Sequence, residues 1–440
     1  MRVLVTGAHG FLGSHIAAAL AAAGHHVIGA GRDTSFARRV LPQLEWISCD
    51  FNRDTSPDVW LSRLTGVDAV VNAVGVLQAT RRENLQRIHV ESAVALMKAC
   101  ERAGVRRFVQ ISALGIETAN TEYARTKRAG DAALTETDLD WVVVRASLVV
   151  GRGSYGGTSL MRGLAGLPGL IPLMGGGEFH RFQPVLMRDF TRAVVSLVEQ
   201  GAPSSTIVPV AGPTEITLRE LILTLRQWLG FGSARVVAIP GSLIGLAARF
   251  GDALGWIGVP TAFRTTSLEQ MEAGSSVAEG DELQRMPKDA LPLRDGLFAD
   301  PATVEDRWHA RLYFLKPLLR VVLGLYWLFQ GLQFARLIVR ESAGIFAHVA
   351  AQGVWEQISL ALTVAEPVLQ TIAGLCFLLR IWVRPAAIGM LTLSAVMLVA
   401  GVGLAIFYGS LDLHFWLVRL SATLLFVVAI LVVLAIERER

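Results

Sequence analysis

Residues 5–20, VTGAHGFLGSHIAAAL, place three glycines, Gly7, Gly10 and Gly13, on the short link between an apolar run and an alanine-rich stretch. Glycine loses more backbone entropy on folding than any other residue, so such a cluster serves geometry. Before it, Arg2–Thr6 (RVLVT) is a short β-branched run that reads as a buried strand. After it, Ser14–Ala23 is nearly all good helix formers. A glycine-rich turn from strand to helix offers bare backbone N–H groups, and the positive end of a helix dipole, to a phosphate. His9, Phe11 and Leu12 share that turn and join the three glycines as candidate cofactor contacts.

The rest of the chain agrees with this beginning. Further strands are expected at His26–Ala30, Glu45–Ser48, Ala69–Ala73, Arg107–Ser112 and Trp141–Arg145. Helices are expected around Pro57–Leu64, Glu83–Ala103 and Glu122–Leu134. Strand and helix in alternation predict an α/β fold, a Rossmann-like doubly wound parallel sheet, because parallel crossovers need a helix-length connection. The predicted organisation is a nucleotide-binding domain over 1–150, a smaller interwoven lobe on the substrate side over 151–310, and a membrane domain over 311–440.

Composition supports that division. The 440 residues exceed what one core usually holds. They are 52% hydrophobic with positive mean hydropathy, and the surplus lies from about Leu315 onward. There, Pro317–Ala335, Ile358–Leu379, Pro385–Phe407 and Phe415–Ile436 each approach the roughly 20 apolar residues of a membrane span. Arg307, Arg311, Lys316 and Arg320 precede the first span, Arg380 and Arg384 join the second to the third, and Arg438 and Arg440 close the chain. By the positive-inside rule both termini face the cytoplasm of an inner membrane, where NAD(P) is available. Glu366 and Arg419 fall inside spans and call for partners there.

Several function classes drop out. Cys49, Cys100 and Cys376 lie far apart, without metal or disulfide spacing, so no metal site is expected. A net charge of +4 with no basic block gives nucleic-acid binding no support. Glycines interrupt the first apolar stretch behind a single basic Arg2, which argues against a signal peptide.

The residues that carry chemistry fall at the ends of the predicted strands. Arg32 and Asp33 follow the second strand about 20 residues past the glycines, where this fold places the adenosine ribose. Arg32 would clamp a 2′-phosphate and favour NADP(H), whereas Asp33 would accept from a free hydroxyl and favour NAD(H). The reading leans to NADP(H), with NAD(H) as the alternative. Asp50 follows the third strand and would meet the adenine edge. Asn72, Ala73 and Gly75 (NAVG) follow the fourth and would pass beneath the adenosine half. Then comes EYARTK, residues 122–127: Tyr123 and Lys127 are four apart and share a helix face. A nearby ammonium favours the phenolate, which suits Tyr123 for proton transfer and leaves Lys127 to hold the nicotinamide ribose.

TGAHGFLG, NAVG, ISALG, YARTK, VVVRASLVVGRG and QPVLMRDF together resemble the short-chain dehydrogenase/reductase superfamily in its extended or atypical, epimerase/dehydratase-like branch. ISALG followed by YARTKRAGD is similar to the subgroup holding the 39-kDa NADPH-binding subunit of respiratory complex I. The resemblance implies Tyr123 as general acid/base, Lys127 beside it, and Ser112 as the third member. The family's serine usually lies later in the strand end, however, where this chain has Ala113. His89 stands where many relatives carry Asn. HARLYFLKPLLRVVLGLYWLFQGL onward resembles the DoxX-like four-helix membrane family, although the fourth span departs from the proline-rich run expected before it.

The leading expectation is therefore a membrane-anchored NAD(P)-dependent oxidoreductase acting on a small, apolar carbonyl or alcohol. The alternatives are a non-catalytic NADP(H)-binding protein, for redox sensing or membrane-complex assembly, and an epimerase or dehydratase of sugar-nucleotide type. Expected partners are the bilayer and the substrate, with a membrane protein or a second copy as further candidates.

Overall fold

In the computed structural model the strand that leads into the glycines stands near the middle of a seven-stranded, all-parallel sheet. Its strands are β1 (Arg2–Thr6), β2 (His26–Gly31), β3 (Glu45–Ser48), β4 (Ala69–Asn72), β5 (Arg107–Ala113), β6 (Asp140–Ala146) and β7 (Thr206–Val210), ordered 7-6-5-4-1-2-3. The structure describes residues 1–80, 83–199, 201–256, 264–277, 287–349, 354–407 and 426–435. The order reverses between β1 and β4, and in such sheets the ligand crevice opens beyond the strand ends at that point. Both Thr6 and Asn72 end there, paired in register.

Alternation along the strands sends side chains to both faces. Val3 and Val5 pack with Ile16, Leu20, Phe190 and Leu197 on one face; Leu4, Val70 and Phe108 pack with Trp60 and Leu96 on the other. Full burial of each such side chain contributes about 1.5–3 kcal/mol. These two layers hold the sheet. Helix α1 (Phe11–Ala22) follows β1, α2 (Thr34–Val40) follows β2, α3 (Ser92–Ala103) precedes β5, and α4 (Glu122–Thr135) connects β5 to β6.

Two departures from the sequence expectation matter for the site. The single helix expected over Glu83–Ala103 instead opens with a π-helical turn at Arg87–Glu91 before α3. A methyl on Gly130 of α4 would come 2.3 Å from the His89 carbonyl oxygen, so glycine lets α4 close onto that widened turn. The second is β7. It comes from the lobe region yet extends the main sheet beside β6, so lobe and sheet are woven together.

Two compact units divide the chain: Met1–Trp256 with Pro260–Arg311, and a second made chiefly of Leu312–Arg440. Within the first, the lobe packs Met161, Ile171, Leu221, Leu225 and Trp228 into a core of its own. Its helix Leu218–Trp228 opens with a reciprocal cap between Thr217 and Glu220. Helices Val304–Val349, Val354–Leu379 and Val383–Phe407 follow, and Phe426–Ala435 is a further short apolar helix. Among the described residues one helical stretch, Val304–Gln333, is long and apolar enough to cross a membrane by length and composition. Much of the expected span Phe415–Ile436, including Arg419, lies outside the described residues. Within this second unit Gly324, Gly331 and Gly374 bring two helices into backbone contact. A methyl on Gly374 would come 2.6 Å from the Leu328 nitrogen and 2.8 Å from the Gly324 oxygen.

Candidate active site

The glycines do what the turn requires of them. Gly7 has φ +68, and a methyl there would come 3.1 Å from the Ala73 oxygen in the loop leaving β4. A methyl on Gly13 would come 2.2 Å from the Gly7 oxygen, so this glycine lets α1 seat directly on the loop. Gly10 is the N-cap of α1, with no side-chain cap. The first N–H groups of α1, those of Phe11, Leu12 and Gly13, have no partner within the helix and present donors of the kind a pyrophosphate needs. The residues present fit a dinucleotide phosphate.

The ribose end is less symmetrical than its sequence suggests. Asp33 caps α2: its Oδ1 accepts from the Phe36 N–H at 2.9 Å and from the Ser35 hydroxyl at 2.7 Å. Those bonds hold its carboxyl below the usual range. Arg32 is half exposed and pairs with Glu83 at 3.0 Å. The His9 ring lies on Gly31, where a methyl would come 2.2 Å from Nδ1, and that nitrogen is buried without a partner among the described residues. Burial and the Arg32 charge depress the His9 pKa, with Asp33 opposing them.

Asp50 organises the turn after β3, accepting from the Asn52 N–H at 3.0 Å, with the Arg53 guanidinium at 3.7 Å. Asn72 is buried and ties three strands together. It accepts from the Thr6 hydroxyl at 2.6 Å and donates to Gln110 Oε1 at 2.9 Å. The Ala73 N–H donates to the Thr6 carbonyl. Gly75 then passes close to α4: a methyl on it would lie 3.9 Å from Lys127 Nζ and 3.8 Å from His89 Nε2.

The N-cap Thr121 starts α4 by accepting from the Ala124 N–H at 3.0 Å, which sets Tyr123 in the first turn. The Tyr123 hydroxyl has no hydrogen bond to another described residue. Lys127 is buried and donates to the Ile111 carbonyl at 2.7 Å, and burial lowers its pKa against the opposing charge of Asp131. Ser112 donates to Asp131 Oδ2 at 2.5 Å. The ring of His89 meets Tyr123 edge to face at 5.6 Å. Its Nε2 accepts from the Val76 N–H at 3.2 Å, while Nδ1 pairs with the Thr126 hydroxyl at 2.8 Å.

The Tyr123 phenol departs from the expectation set by Lys127 alone. Burial pushes it up to about 12, with the Asp131 charge acting in the same sense. Desolvation and the Asp131 carboxylate both disfavour the phenolate.

Sequence reasoning missed the residues that cover this site. Gln78 donates to the Ser267 hydroxyl at 2.6 Å, Thr121 reaches Gln270, and Ala273 packs with Tyr123 and Ile116. Gly115, at φ +81, admits the Gly274 carbonyl, which a methyl would meet at 2.4 Å. These contacts join segments far apart in the chain. The polar composition of the stretch from Thr265 onward carries no sign of them.

A family described as NAD(P)H-binding matches residues 7–161. A ceramide reductase from Caulobacter vibrioides is 31% identical over 156 residues, which is 34% of this chain and 47% of that protein. The chain therefore spans about half the length of that relative. A photosystem II assembly factor from Synechocystis sp. is 24% identical over 264 residues, 58% of this chain and 76% of that protein. Among solved structures, a triphenylmethane reductase from Citrobacter sp. complexed with NADP(H) shares the fold. Its TM-score is 0.53 at 19% identity, over 68% of this chain and 99% of that one. The fold, the glycine loop and the family match together point to a Rossmann-like domain in the N-terminal part, with residues 7–161 similar to a family described as NAD(P)H-binding.

Proposed function

We propose that the chain is a membrane-anchored NAD(P)-dependent oxidoreductase that reduces a carbonyl or oxidises the corresponding alcohol. One observation carries this reading: Gly75 brings the loop after β4 against Lys127, one turn from a Tyr123 hydroxyl that no described residue engages. The glycine loop, Arg32 and the Asp50 turn would hold the dinucleotide, and the bound nicotinamide would supply or accept hydride. Tyr123 would give its phenolic proton to the carbonyl oxygen. The Lys127 ammonium would stabilise the phenolate until solvent reprotonates it. NADP(H) is favoured because Asp33 is engaged by its own helix cap, whereas the half-exposed Arg32 guanidinium, paired with Glu83, would be drawn to a 2′-phosphate. The lobe would bind the substrate, and similarity to a ceramide reductase is in keeping with an apolar one. Four spans with both termini in the cytoplasm, a bilayer setting, and a membrane-protein partner or second copy complete the reading.

The test is NADPH oxidation by the detergent-purified full chain against a panel of carbonyls and quinones, repeated with NADH. Turnover should prefer NADPH and fall about 10²-fold or more in Tyr123→Phe. Turnover unaffected by that change would overturn the assignment of Tyr123. One observation favours a second reading, a non-catalytic NADP(H)-binding protein: the Ser112 hydroxyl is already taken by Asp131. Tight NADPH binding with no turnover on any acceptor would select it.

A further inference from the structure

Helix α5 (Gly241–Trp256, GSLIGLAARFGDALGW) reverses the usual order of a surface helix. A helix on a protein surface buries its large apolar side chains and shows its polar ones. Here small residues face inward, with Ala248 fully buried and Gly251 buried as well. The large ones face out: Leu243 is 57% exposed, and Leu246 and Phe250 are each 66% exposed. They stand three and four apart, and with the exposed Ala247 and Ala253 they make one continuous stripe along the helix. An exposed apolar patch of this kind marks a surface that meets an apolar partner.

Three observations favour a bilayer as that partner. In the sequence the stripe runs on into ALGWIGVPTAF, residues 253–263, an uncharged stretch that includes Trp256. A run of that length is too short to span a membrane but suits its interface, where Trp is favoured. The same chain carries Val304–Gln333, which is long and apolar enough to cross a membrane. Arg249 is exposed next to Phe250 at the edge of the stripe, a cation placed where lipid phosphates attract one.

The end of α5 is tied to the active site. Asp252 accepts from Arg264 Nε at 3.1 Å and from the Thr265 hydroxyl at 2.7 Å, joining the residues on either side of the uncharged stretch. Arg264 also donates to Gln78 Oε1 at 3.4 Å and to the Ala79 carbonyl at 3.3 Å, in the loop after β4. Helix α6 (Thr265–Glu272) packs on α5, and Ala273 at its end packs with Tyr123.

We propose that the outer face of α5 is a membrane-docking surface. Leu243, Leu246 and Phe250 enter the boundary between lipid headgroups and acyl chains, with Arg249 at the level of the phosphates. The proposal rests on reading the chain as membrane-anchored, and goes beyond it in naming the face of the nucleotide-binding unit that meets the lipid.

The test reads depth directly, in the full chain carrying Cys376→Ser; Cys49 and Cys100 are buried. One cysteine is introduced at a time, as Leu243→Cys, Leu246→Cys or Phe250→Cys, with Arg53→Cys as the control at a side chain that is 86% exposed. Each is labelled with an environment-sensitive fluorophore, and a melt matching the parent's checks that the fold is kept. The chains are reconstituted into vesicles of phosphatidylcholine and phosphatidylglycerol. Nitroxides on the lipid acyl chains should quench the three stripe labels and leave the control bright, whereas acrylamide in the buffer should do the reverse. Stripe labels as open to acrylamide as the control, and untouched by the nitroxides, overturn the proposal. So does shielding from acrylamide without lipid quenching, which would mean that a second copy or another protein covers the face. Flotation of the same vesicles reports the anchor separately. A chain that floats with its stripe labels in water fails the docking surface alone, whereas a chain that does not float removes the anchor reading and the proposal with it.

Discussion

His89 shows how much a single side chain depends on its surroundings. In the sequence it is a lone histidine in a helical stretch, compatible with packing or capping. In the fold it bridges the Val76 N–H and the Thr126 hydroxyl, and Thr126 in turn donates to the Glu122 carbonyl. Burial, with the Lys127 charge adding to it, pushes the ring pKa down to about 2 from 6.5. The unfolded chain binds a proton below about pH 6.5 while the folded chain does not, so stability is fully present above that value and declines as pH falls toward the folded one. The decline attributable to one such group is at most about 1.4 kcal/mol per pH unit. His89→Gln keeps an acceptor and a donor but cannot titrate. It should flatten the acid side of the stability–pH curve over roughly pH 6 to 4, measured by thermal or denaturant melts. A slope equal to the parent's would mean that His89 is ionised in the folded chain.

At the scale of elements, the strand–glycine–helix unit was legible from VTGAHGFLG alone, because its flanks differ so sharply in propensity. The docking of α1 explains why glycine is needed at position 13. Gly13→Ala sets a methyl 2.2 Å from a backbone oxygen that has no flexible end to move. It should destabilise the chain by about 1–3 kcal/mol and weaken NADPH binding by about tenfold or more. Melts and a fluorescence titration with NADPH check this, and full retention of both would mean that α1 does not need so close an approach. The π-helical turn at Arg87–Glu91 was not legible. Its residues, RIHVE, suit an ordinary helix, and the widening is tied to contact with Gly130, more than thirty residues on.

At the scale of the whole molecule, the chain joins a nucleotide-binding unit to a run of apolar helices. Val304–Gln333 passes the length and composition required of a span. The close glycine contacts among Gly324, Gly331 and Gly374 are of the kind that joins helices in lipid. The proposed multi-pass anchor makes a direct prediction: alkaline carbonate washing should leave the chain in the membrane pellet. Tags on either terminus should be digested only when the cytoplasmic face is accessible to protease. Release by carbonate would mean peripheral attachment, and protection of one tag would mean an odd number of spans.

The sequence by itself determined the α/β class, the position of the glycine loop, the Tyr123–Lys127 spacing and the apolar character of the C-terminal part. Each of these rests on local propensity, periodicity or composition, and short windows carry all three. Tertiary structure decided where the polar hydrogens go. Asp33 turned out to cap its own helix, Ser112 to serve Asp131, and Asn72 to tie Thr6 to Gln110. It also added β7 to the sheet and brought Ala273 against Tyr123. Those pairings join residues that only folding brings together, and a buried donor is satisfied by whichever acceptor the packed core leaves within reach.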